Sequence, residues 1–274
     1  MNGISFGQYY PANSLLHKLD PRIKIILTIL YIVCSFMCKN VISYGLLLAS
    51  ALVLIIIGRV PIKIILKGLK GILLVLLFTA FLNIFWTKGA DENLLLHWRF
   101  ISIYVEGLYA ALFIMIRISV LIIGTGMLLT YTTTPIALTN AIEDLLSPLK
   151  KLHVPVHSFA MMMTIALRFI PTLTEEAERI MTAQKARGAD FTSGGIIQRA
   201  KALVPVLIPL FVSAFNRAGD LAIAMECRCY NGGEGRTRMN VRHIKFVDFI
   251  PLFLIIAFGA GLIYLNILGI GYTA

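Results

Sequence analysis

The 274-residue chain is 58% hydrophobic and 14% charged, with 25 Lys and Arg against 14 Asp and Glu for a formal net charge of +11. So apolar a composition excludes an ordinary soluble domain and marks an integral membrane protein. The basic excess sits beside apolar runs, which makes the lipid bilayer, and not nucleic acid, the expected partner.

The N-terminal stretch through Gly7-Gln8-Tyr9-Tyr10-Pro11 is polar and turn-rich, without the basic start, apolar run and small-residue cleavage site of a secretory signal. A helix entrance follows at Ser14 to Lys24, where Asp20 suits an N-cap and Pro21 the first helical position. Arg22 and Lys24 are then expected to anchor the helix at an anionic cytosolic leaflet. Apolar spans fall at 24–38, 41–57, 71–86, 107–130 and 246–268. Lys39, Lys88 and Arg99 lie on one side of these spans, Arg117 lies inside one, and the other basic residues lie on the opposite side. That bias places the N-terminus in the cytosol and, across five spans, the C-terminus outside.

Cys34 and Cys38 read as core residues of the first span. Gly58-Arg59-Val60-Pro61 ends the second span, and Lys63, Lys67 and Lys70 then share a helix face, as a segment lying along the membrane surface does. The loop carrying Asp91, Glu92, His97 and Trp98 mixes polar and aromatic residues, and His97 has no second ligand at metal spacing. Arg117 lies among Ile114, Met115, Ile116, Ile118 and Val120, so it must face protein or water, or snorkel. The sequence names no partner for it.

From 131 to 245 apolar runs shorten and charges recur. Thr132-Thr133-Thr134-Pro135 ends the fourth span and opens a small amphipathic segment closed by Ser147-Pro148. Two longer helical patterns follow, one from Phe159 to Met181 with Pro171 expected to kink it, the other from Leu203 to Met225 with Pro205 and Pro209 near its start. Their apolar cores are short for ordinary spans, so they read as long amphipathic helices under the membrane, crossing it partly or not at all. Each ends in arginine between small residues, Ala186-Arg187-Gly188 and Cys227-Arg228-Cys229, with the arginines 41 positions apart.

A basic residue in a last helical turn followed by glycine is the usual helix stop, which accounts for Arg187-Gly188 by itself. Asn231-Gly232-Gly233 is a better stop for the second helix than Arg228 and its neighbours, so the recurrence of arginine calls for another role. A planar guanidinium fork flanked by small residues suits docking to a partner's carboxylate. Cys227 and Cys229 face a reducing cytosol on this topology, and no disulfide is expected.

Together, His17, Leu19, Asp20, Pro21 and Arg22, Gly58-Arg59-Val60-Pro61, Arg168-Phe169-Ile170-Pro171 and Ala183-Gln184-Lys185-Ala186-Arg187-Gly188-Ala189-Asp190 resemble the transmembrane T component of energy-coupling factor transporters. The resemblance implies a scaffold in a prokaryotic cell membrane joining two cytosolic ABC ATPases, expected to be non-identical, to a small membrane substrate-binding S component for uptake of vitamins or other micronutrients. It implies that Arg187 docks one ATPase and Arg228 the other. Cysteines replace the family's flanking Ala and Gly at the second motif.

The fold class expected is an all-α membrane protein of about five transmembrane helices with long cytosolic coupling helices. Its regions are 1–130, 131–245 and a C-terminal span in 246–274. Met161, Met162, Met163 and Phe211 are expected to contact the S component, since methionine-rich faces repack readily; packing against the chain's own spans is the alternative. No Gly-x-x-x-x-Gly-Lys-Ser/Thr loop, His-Glu-x-x-His pair or nucleophile frame occurs, so no catalytic residue, metal site or directly bound cofactor is expected. The resemblance implies that ATP and Mg²⁺ belong to the partner ATPases. A conventional ABC importer permease is the alternative function, with one coupling helix per chain in a homodimer.

Overall fold

A computed structural model describes residues 9–86, 94–98, 101–191, 193–232 and 246–268. The chain divides into two compact units, Met1–Leu138 with Arg242–Ala274, and Thr139–Val241. Among the described residues the architecture is helical apart from one antiparallel hairpin, β1 (Leu94–Trp98) and β2 (Ile101–Tyr104), in which His97 lies opposite Ser102. Asp91 and Glu92, and Lys88 and Arg99, lie outside the described residues.

In the first unit the chain enters through a one-turn helix, α1 (Leu15–Lys18), and then α2 (Pro21–Phe36). Both starts follow from local side-chain chemistry. Ser14 accepts from the His17 backbone N–H at 3.4 Å, and Asp20 accepts from that of Arg22 at 2.9 Å. The other spans are α3 (Val41–Gly58), α4 (Ile62–Trp86), α5 (Val105–Thr125) continued by a π-helical turn at Gly126–Thr130, and α9 (Phe249–Leu268). Their shared core holds Tyr31, Cys34 and Cys38 of the α2 region, Tyr44 and Leu47 of α3, Phe113 and Val120 of α5 and Leu262 of α9. The α2–α5 approach needs glycine at position 124, where a Cβ would lie 2.1 Å from the Tyr31 ring.

Lys24 does not reach the lipid surface. It is 1% exposed, and its ammonium donates to the Thr132 carbonyl at 2.9 Å, the Thr132 hydroxyl at 3.2 Å and the Thr133 hydroxyl at 3.1 Å. A buried ammonium needs acceptors for its three donors. The π turn supplies them by ending the regular ladder just before two threonines. Lys24 therefore ties α2 to the end of the α5 segment, and the leaflet-anchoring role read for it is corrected.

The α2–α3 corner is closed in the same way. A 16-residue helix rises about 24 Å, less than the roughly 30 Å of bilayer hydrocarbon, so the carbonyls at its end need partners from the protein. Asn266 of α9 donates to the Met37 carbonyl at 2.6 Å, and Asn40 returns a bond to the Leu265 carbonyl at 3.1 Å. Arg117 of α5 donates to the Cys38 carbonyl at 2.9 Å and to the Tyr44 hydroxyl. Its guanidinium also lies 5.9 Å and 5.4 Å from the ring centroids of Phe36 and Tyr44. The intramembrane arginine thus faces protein and closes a helix corner.

Lys63, Lys67 and Lys70 belong to the same continuous helix as the third span, since α4 begins at Ile62 and neither Gly68 nor Gly71 breaks it. Among the described residues, six helices are long and apolar enough to cross a membrane: α3, α4, residues 105–130, residues 246–268, and the two long helices of the second unit. α2 falls short of them only in length.

The second unit contains the end of α6 (Pro135–Leu145), a 3₁₀ segment (Ser147–Leu152), α7 (Val156–Ala186) and α8 (Ile196–Cys227). α7 runs on through Pro171, and α8 through Pro205 and Pro209. At the root of α7, His157 Nδ1 pairs with Glu143 Oε1 at 2.9 Å and fixes α7 to α6.

Candidate functional site: two arginine-capped helix ends

α7 and α8 meet at an ion pair, Arg217 Nη2 to Glu176 Oε2 at 2.9 Å. Beside it lies an apolar groove of about 280 Å³, lined by Ile165, Phe169 and Leu173 of α7 and Ala214, Ala218, Leu221, Ala222 and Met225 of α8, with Arg217 at its edge. Glu176 and Arg217 are separated by 41 positions, the same interval that separates Arg187 from Arg228. Residues equivalent in the repeat therefore touch each other, as they do on the axis of a twofold-like pair. The two arms beyond the contact match as well. Arg187 follows Glu176 by 11 residues and Arg228 follows Arg217 by the same interval, so each arginine stands about 16 Å along its helix from the ion pair.

The ends of the arms share one local structure. Arg187 is the C-cap of α7; Gly188, at φ 88°, donates its backbone N–H to the Lys185 carbonyl at 3.0 Å, and Ala189 donates to Gln184 at 3.0 Å. Arg228 is the C-cap of α8; Cys229, at φ 54°, donates to Glu226 at 2.8 Å, and Tyr230 donates to Met225 at 3.0 Å. Each set is a complete Schellman closure. The expectation that α8 stops at Asn231-Gly232-Gly233 is corrected; Gly233 itself lies outside the described residues. The chain turns where Tyr230 and Met225 are both partly buried, and contact between these two positions commonly accompanies this closure. Arg187 and Arg228 are thus both helix caps, at equivalent positions. Their side chains are exposed, and neither has a hydrogen bond or ion pair among the described residues.

Ala186, Cys227 and Cys229 are exposed beside the two guanidinium groups, which leaves room for a partner's backbone to approach. Left-handed backbone costs a non-glycine residue about 1–2 kcal/mol. Cys229→Gly is accordingly expected to raise the thermal midpoint in detergent, and Gly188→Ala to lower it, by an amount corresponding to roughly 1 kcal/mol each. The opposite signs, read by thermal unfolding, would show that the two caps are not equivalent.

Of the residues read as S-component contacts, Met162, Met163 and Phe211 are exposed and Met161 is half-buried. Phe211 stacks edge-on with Phe215 at 4.6 Å between ring centroids, and both rings face outward. Exposed apolar area of this kind marks contact with lipid or protein. The Glu176–Arg217 pair and the groove beside it escaped the sequence reading. The 41-residue interval carried the signal, since it relates Glu176 to Arg217 as it relates the two arginine caps.

The family model described as "CbiQ: Cobalt transport protein" matches residues 12–239. The chain is 54% identical over 246 residues to the energy-coupling factor transporter transmembrane protein EcfT of Ruminiclostridium cellulolyticum, covering 90% of both chains. It is 53% identical to EcfT of Clostridium kluyveri, covering 90% of this chain and 91% of that one, and 49% identical to EcfT of Bacillus subtilis, covering 87% and 89%. With its apolar helices these matches make it a multi-pass protein of a prokaryotic membrane. The chain belongs to the CbiQ/EcfT family, the transmembrane components of energy-coupling factor transporters.

Proposed function

We propose that the chain is the non-catalytic scaffold that transmits ATP-driven motion from two cytosolic ABC ATPases to a substrate-binding S component, for import of a vitamin or other micronutrient. The observation that carries this reading is the equivalence of Arg187 and Arg228: two exposed guanidinium groups, each carried on a backbone held by the same closure at the end of an equal arm. Equal arms meeting at one ion pair suit a device that receives force at two points and delivers it to one load. Each fork takes a carboxylate of one ATPase through two hydrogen bonds. The cysteines around Arg228, where Ala and Gly surround Arg187, give the two docking points different shapes, which suits two non-identical ATPases. ATP and Mg²⁺ stay with those ATPases.

The exposed faces around Met162, Met163 and Phe211, with Met161 at their margin, receive the S component, and substrate choice belongs to that component. The conventional permease reading is not favoured, because the relatives are named as energy-coupling factor components. Purification in mild detergent from cells producing the chain with its neighbouring transporter subunits tests the proposal. Co-isolation of two different ATPases and one small membrane protein is expected. A symmetric dimer of this chain with a single ATPase species would overturn it.

A further inference from the structure

One face of α4 carries a row of exposed residues that neither the core nor the docking reading uses. Lys63, Lys67 and Lys70 follow one another at steps of four and three, and the same alternation continues to Leu74, Leu77 and Phe81. At 100° per residue all six lie within about 80° of arc, so they form one stripe along the helix. The stripe faces away from the packed side of α4. Of the buried residues of α4, Ile65 and Leu76 lie on the opposite side of the helix and Ala80 on its flank, while Leu74 is 77% exposed, Leu77 58% and Phe81 57%.

The charge on this stripe is unopposed. α4 contains no acidic residue, and the three lysines have no hydrogen bond or ion pair among the described residues. The dimensions match one leaflet. From Lys70 to Phe81 the helix rises about 16 Å, close to half of the roughly 30 Å hydrocarbon thickness, and the lysines occupy about the next 10 Å, where headgroups lie. An apolar stripe alone would suit a lipid tail or a protein partner equally. Three unopposed cations directly above a stripe of acyl-chain length fit a lipid with an anionic head.

We infer that this face holds an anionic phospholipid, its phosphate on Lys63, Lys67 and Lys70 and an acyl chain along Leu74, Leu77 and Phe81. The site is independent of ATPase docking at Arg187 and Arg228. Lysines at an anionic surface each contribute roughly fivefold to binding, so losing all three is expected to lower affinity at least tenfold.

Native mass spectrometry of the full-length chain in neutral detergent, titrated with phosphatidylglycerol and with phosphatidylcholine of identical acyl chains, tests this. The wild type is expected to retain phosphatidylglycerol in clear preference. K63Q/K67Q/K70Q should fall to the phosphatidylcholine level, whereas K63R/K67R/K70R, and K150Q/K151Q outside the stripe, should retain the preference. Equal retention of the two lipids by the wild type would overturn the inference, as would an undiminished preference in the Gln variant or its loss in the Arg variant. An unchanged lipid preference accompanied by loss of a co-purifying membrane protein would assign the face to that protein instead.

Discussion

Arg187→Glu is expected to abolish substrate uptake and to strip one ATPase from the purified complex, and Arg228→Glu is expected to do the same to the other. Neither side chain bonds to anything among the described residues, so the change should leave the helical content intact. Reversing charge at a helix C-terminus costs only about 0.3–1 kcal/mol through the dipole. Stranding a carboxylate buried at the docking interface costs roughly 3–5 kcal/mol, or more than a hundredfold in affinity. The large effect therefore belongs to docking and the small one to capping. Gln at either position separates them further, because it removes the cation without reversing the charge. Lys should give an intermediate loss, since it keeps the charge but not the fork. Uptake in membrane vesicles and the ATPase content of the purified complex are the readouts. Wild-type values for both Glu variants would remove the docking role.

Arg117→Leu is expected to produce the largest loss of stability of any single substitution at the α2–α3 corner. It leaves the Cys38 carbonyl and the Tyr44 hydroxyl without their donor, at about 1–3 kcal/mol each in surroundings that water does not reach. It also removes the cation that lies over the Phe36 and Tyr44 rings. A combined loss of about 3 kcal/mol or more should lower the thermal midpoint in detergent by at least about 5 °C. Lys at this position restores one donor and recovers part of the loss. A midpoint unchanged in Arg117→Leu would mean that the corner is held by Asn40 and Asn266 alone.

Features resting on neighbours in the chain were legible in the sequence. Asp20 and Pro21 start α2 as their chemistry requires, because a cap bonds within three residues. Cys34 and Cys38 are core residues, as their place within an apolar span implied. Features resting on distant partners were not legible. Lys24 reads as a lipid-surface residue because such lysines ordinarily snorkel, yet its acceptors lie 108 and 109 positions away, just after a turn whose π geometry no local pattern announces. Arg117 had no nameable partner for the same reason: Tyr44 and Cys38 are 73 and 79 positions distant.

The end of α8 failed differently. Glycine preference favoured Asn231-Gly232-Gly233, but the closing bonds formed three residues earlier and placed Cys229 in the left-handed region. That outcome strengthens the equivalence of the two arginines. With the stop further on, Arg228 would sit inside a helix. With the stop where it is, both arginines occupy the same cap.

Site-specific photo-crosslinking from positions 187 and 228 in the intact complex tests the central claim most directly. A photoreactive residue at 187 is expected to label one ATPase chain and a residue at 228 the other, each without labelling the S component. Labelling of the same ATPase from both positions, or of no ATPase from either, would contradict the account.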